Sequence, residues 1–92
     1  MQIINTLQTD QVLDQVRQIV AEIPGCFLVY NQIRPEHRLR DDLGLDSLAM
    51  VDLMVAVEDA LGVYFDPIQT DLDAAFETVS SLANLVTKLT TG

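Results

Sequence analysis

The chain has 92 residues, enough for one domain; 49% are hydrophobic but only 5% aromatic, so the core must be aliphatic. Five Lys and Arg against 14 Asp and Glu give a formal charge of −9 and a pI near 4.1. Nucleic acids and anionic membranes both require basic surface and are excluded as partners, whereas proteins with basic patches fit.

The N-terminus, MQIINTLQTD, has no basic region followed by a long apolar run, so it does not read as a signal peptide. No segment approaches the ~20 apolar residues needed to span a bilayer. The first helix is predicted from about Asp10 to Ala21, because Val12, Val16, Ile19, Val20 and Ile23 recur at spacings of three and four. Thr9 is placed to cap it, Asp10 complements the positive end of its dipole, and Pro24-Gly25 stops it.

Residues 26–40 form a long connection. Phe27, Leu28, Val29, Tyr30 and Ile33 cannot all face water, so the segment reads as a loop packed over the core that can include a helical turn. A lone strand at 26–30 has no obvious partner. Cys26, the single cysteine, excludes an internal disulfide and reads as a buried structural thiol in the apolar run CFLVY. These features suit a soluble protein of a reducing cytoplasm, with a monomer as the simplest assembly. His37, among arginines, reads as surface.

The second helix starts at Asp46 or Ser47 and runs to Leu61. The Asp46 carboxylate is placed to accept first-turn N–H groups, and Gly62 is a natural stop. VYFDPIQ makes a turn. Thr70-Asp71-Leu72-Asp73 resembles the cap of a short third helix at about 71–76. Thr78 can cap a last helix over 79–90 with the stripe Val79, Leu82, Val86 and Leu89. The fold class is therefore all-α: residues 1–92 form a single small four-helix bundle with a long first loop and a short third helix.

The second helix has two apolar stripes where a surface helix needs one. Leu53, Val57, Ala60 and Leu61, with Met50 and Met54, can pack inward; Leu48, Val51 and Val55 make the other. Either the helix is buried nearly all round, or Leu48, Val51 and Val55 form an exposed strip edged by Asp52, Glu58 and Asp59. The surrounding stretch from Asp41 to Glu77 carries ten acids and no Lys or Arg, the arginines lying at 17, 34, 38 and 40. With Asp46 as the cap, Ser47 is free to point outward beside unpaired N–H groups, a favourable place for a phosphate-bearing group. It is not a convincing hydrolase nucleophile: G-L-D-S-L is not G-x-S-x-G, and nothing ties His37 to it as a base. A calcium loop at Asp71 and Asp73 lacks the required glycine and glutamate. No residue is assigned to catalysis or to a metal.

L-R-D-D-L-G-L-D-S-L, Leu39 to Leu48, resembles the phosphopantetheine attachment motif of acyl carrier proteins, and the likeness extends through V-D-L-M-V-A-V-E-D to Leu61 and to the overall helical plan. The resemblance implies a carrier rather than an enzyme. Ser47 would bear a covalent 4′-phosphopantetheine arm, installed by a phosphopantetheinyl transferase from coenzyme A. Acyl intermediates would ride as thioesters to acyl-activating, condensing or acyl-transfer enzymes. Partner recognition falls to Asp46, Leu48, Val51, Asp52, Val55, Glu58 and Asp59. The apolar, basic loop CFLVYNQIRPEHRLR and Tyr64-Phe65-Asp66-Pro67 depart from the fatty-acid carrier pattern and point to a specialised acyl, polyketide or lipid pathway. A freestanding aminoacyl or peptidyl carrier, and an acidic helical adaptor without a prosthetic group, are the alternatives.

Overall fold

The computed structural model describes the backbone of residues 2–91 and the side chains of residues 11–90. Among them lie four α-helices, α1 (Gln2–Glu22), α2 (Ser47–Leu61), α3 (Leu72–Ala75) and α4 (Val79–Thr91), a 3-10 turn at Tyr30–Gln32, and no strand. This is the expected helical bundle. α1 packs mainly on α4 and also on α2, while α3 packs on α4. None of the described helices is long and apolar enough to cross a membrane.

α1 is longer than the periodicity predicts: it begins at Gln2 rather than near Asp10. The side chains of Thr9 and Asp10 lie outside the described residues, but the backbone is helical through both, so neither marks the helix start. Val12, Val16, Val20 and Ile23 form the expected buried stripe, and Leu53, Val57, Val79, Leu82 and Val86 meet it from α2 and α4. Two assignments fail at one end of the bundle. Ala60 is exposed and Leu89 is 40% exposed. There the helices leave a cleft of about 300 Å³, walled by Gln11 and Gln15 of α1, Ala60 and Leu61 of α2, and Val86 of α4, which the short Ala60 methyl does not fill.

The long connection is fastened less by its apolar side chains than expected. Ile33 is buried, but Phe27 is 73% and Val29 63% exposed. Polar bonds hold the loop instead. Arg17 of α1 donates through Nε to the Ile33 carbonyl (2.8 Å) and through a second guanidinium nitrogen to the Tyr30 carbonyl (3.1 Å). Its guanidinium also lies 4.6 Å from the Tyr30 ring centroid, and the Tyr30 hydroxyl donates to Asp14, itself paired with Arg17. Cys26 is half-buried rather than buried, its thiol donating to the Leu28 carbonyl at 3.3 Å. His37 is more than surface: Nδ1 accepts the Arg34 N–H at 2.9 Å, closing a turn.

The end of this connection runs beside the start of α4. The Val79 and Ser80 N–H groups donate to the carbonyls of His37 (3.0 Å) and Pro35 (2.8 Å), and Leu39 N–H donates to the Glu77 carbonyl (3.0 Å). Thr78 Oγ1 accepts from Ser81 N–H while Ser81 Oγ accepts from Thr78 N–H, both at 3.0 Å, so the expected Thr78 cap is reciprocal. Every first-turn N–H of α4 is thereby satisfied.

Candidate functional site

The site is built on the entry to α2. Leu39, Leu43 and Leu45 are all but fully buried, which pins L-R-D-D-L-G-L to the core by its three leucines. Between them the backbone turns tightly: Leu43 N–H donates to the Arg38 carbonyl (3.1 Å), Gly44 N–H to Arg40 (3.0 Å) and Leu45 N–H to Leu39 (3.0 Å). Gly44 closes the turn at φ +76, a backbone that favours glycine, and a Cβ there would sit 2.5 Å from the exposed Phe27 ring, which would have to swing aside. Phe27 in turn donates its N–H to the Leu43 carbonyl at 2.8 Å.

Asp42 braces the turn from outside. Its carboxylate accepts the Arg38 backbone N–H at 2.7 Å and pairs with the Arg38 guanidinium at 3.4 Å; Asp41 pairs with the same guanidinium. The backbone hydrogen bond, helped by the guanidinium, holds the Asp42 carboxyl below the ordinary carboxylate range. The hydrogen bond to Asp42, and then the charges of Asp42 and Asp41, raise Arg38 in return.

α2 then starts at Ser47, with Asp46 Oδ1 accepting Ala49 N–H at 2.8 Å and the Asp46 carbonyl accepting Met50 N–H at 2.9 Å. No described residue accepts from the Ser47 or Leu48 N–H, in contrast to the fully satisfied start of α4. Ser47 is exposed. Beside it lies an open cavity of about 200 Å³ with an apolar wall of Met50, Val51, Met54, Leu72 and Phe76, and with Arg40 and Asp73 at its rim. An exposed hydroxyl, two free amides and an adjacent groove together accommodate a phosphodiester-linked arm.

Along α2 the two stripes separate. Leu53 and Val57 are buried and Met50, Met54 and Leu61 half-buried, whereas Leu48, Val51 and Val55 are 73%, 55% and 52% exposed. The reading in which α2 is buried nearly all round therefore fails. Asp46, Asp52 and Asp59 flank this strip in solvent. Glu58 differs: it is half-buried, and Oε2 accepts the Phe65 N–H at 2.9 Å, which ties the following loop to the helix. Phe65 is buried edge-on against Phe76, with ring centroids 5.2 Å apart. Arg40 beside the cavity and Phe27 over Gly44 are what the sequence reading missed; the last of three closely spaced arginines, just before ten acids, was the available signal for Arg40.

The family model for the phosphopantetheine attachment site matches residues 14–86. Acyl carrier protein 3 of Ralstonia nicotianae is 39% identical over 75 residues, covering 82% of this chain and 80% of that protein. The chain belongs to the acyl carrier protein family. The acyl carrier protein of Thermobifida fusca is 35% identical over 78 residues, covering 85% of this chain and 92% of its own. A solved structure of an engineered Bradyrhizobium japonicum glycine:[carrier protein] ligase complexed with a carrier protein from Agrobacterium tumefaciens and ATP contains a chain of the same fold, with a TM-score of 0.71. Identity is 24%, covering 84% of this chain and 97% of that one. Members of the acyl carrier protein family are carriers, not enzymes, and hold 4′-phosphopantetheine covalently.

Proposed function

We propose that this single-domain carrier holds acyl intermediates as thioesters on a 4′-phosphopantetheine arm at Ser47 and delivers them to partner enzymes of a specialised acyl, polyketide or lipid pathway. The observation that carries the assignment is the exposure of Ser47 at the start of α2, beside two amides without acceptors. A transferase would join Ser47 Oγ to the β-phosphorus of coenzyme A, with adenosine 3′,5′-bisphosphate leaving and the hydroxyl proton passing to the transferase. When bound, the arm supplies a terminal thiol of pKa about 8.5, whose thioester keeps the acyl carbonyl electrophilic.

Asp46, Leu48, Val51, Asp52, Val55, Glu58 and Asp59 form the proposed recognition face. The exposed apolar strip gives a small contact, and the acids steer basic partner patches with a salt-sensitive on-rate. Glu58 has one oxygen committed to Phe65 and adds its charge to the field of this face. Relatives at 32–40% identity that are named acyl carrier proteins support an acyl cargo over an aminoacyl one.

Intact mass after incubation with coenzyme A and a broad-specificity transferase is the test. A gain of one phosphopantetheine, absent in Ser47→Ala, is expected. No gain in the natural sequence returns the chain to an acidic adaptor.

A further inference from the structure

We infer that Arg40 is a positioning residue for the root of the arm: its guanidinium pairs with the phosphodiester on Ser47 and holds it over the α2–α3 groove. This inference rests on the Ser47 assignment. Arg40 lines the same cavity as Ser47, and it also lines a second cavity of about 450 Å³ that shares Asp73 and Phe76 with the first. The two hollows thus adjoin at Arg40, Asp73 and Phe76.

Arg40 is also the arginine left without an acid. Arg17 pairs with Asp14, Arg34 with Glu36, and Arg38 with Asp41 and Asp42; Arg40 makes no side-chain hydrogen bond or ion pair among the described residues. The Arg40 carbonyl accepts Gly44 N–H, so its backbone is fixed by the same turn that presents Ser47. A phosphodiester at Ser47 adds a negative charge to a region that already holds ten acids between Asp41 and Glu77. Without a nearby cation those charges would push it away from the protein surface. A guanidinium offers paired donors matched to phosphate oxygens. Asp73 is the carboxylate that lines both hollows with Arg40, and Asp41 and Glu77 line the second; these are the acids that compete for Arg40. With the phosphate held there, the next, apolar part of the arm meets Met50, Val51 and Met54.

The experiment uses ³¹P NMR of the protein loaded from coenzyme A, with mass spectrometry reporting the loading first. In the natural sequence the phosphodiester resonance is expected to move with added salt, up to about 1 M, where the Debye length is about 3 Å. In Arg40→Gln it is expected to start at the high-salt position and stay there. Arg40→Lys should restore part of the salt dependence, and Asp73→Asn should increase it. Circular dichroism checks that each variant is folded. Full loading with identical ³¹P titrations in the natural sequence and Arg40→Gln overturns the inference and leaves the Ser47 assignment standing. Failure of the natural sequence to load overturns both.

Discussion

Gly44 lies under the Phe27 ring with a left-handed backbone, and both facts bear on how Ser47 is presented. Replacing it with alanine is expected to cost about 1–2 kcal/mol from the backbone alone, plus the displacement of Phe27. In a Phe27→Ala background the second contribution should vanish, so the two substitutions will be non-additive in denaturant unfolding. Asp42 gives a pH signature. Its carboxyl is held low in the folded chain, so its stabilisation is present in full above the ordinary carboxylate pKa of about 4 and is lost as pH falls through the lower folded value. The stability gap between the natural sequence and Asp42→Asn should therefore close on acidification, measured by denaturant midpoints at stepped pH.

At the scale of elements, α2 divides its labour between two faces. Leu53→Ala removes a fully buried side chain and should cost about 2–5 kcal/mol. Asp52→Lys alters an exposed charge and should leave the midpoint nearly unchanged while slowing partner reactions at low salt. Glu58→Lys should slow partner reactions and also lower the midpoint, because Phe65 N–H loses its acceptor; about 1–3 kcal/mol of stability is at stake. Glu58→Gln should recover most of it. α2 was readable to within a residue at its start and to the residue at its end, because Asp46 is a natural cap and Gly62 a natural stop, the latter left-handed at φ 67. α1 was not, because a Thr-Asp pair costs a helix interior only tenths of a kcal/mol each and so need not mark a boundary. The Arg17 clamp on Tyr30 and Ile33 spans thirteen and sixteen residues of sequence, beyond any local pattern. Glu58 was legible as an acid on the helix surface, but its bond to Phe65 depends on the path of the loop. The place of Ser47 at the exposed start of α2 was legible, since its motif fixes cap and turn together.

At the scale of the whole molecule, a charge of −9 on 92 residues opposes the compact state. Added salt should raise the melting temperature, and divalent cations should do so at lower concentration; a melting temperature independent of ionic strength would show that the charges are already balanced locally. The proposed recognition face would use the same field for fast encounters with basic partners, and the narrow apolar strip for short-lived complexes. In the proposed function all of this serves the exposed Ser47 oxygen. Fragmentation mass spectrometry of the protein, after incubation with coenzyme A and a transferase, locates the modification directly. Phosphopantetheine on Ser47, with Ser80 and Ser81 untouched, is the predicted result. An unmodified chain, or an arm on any other hydroxyl, would contradict the account.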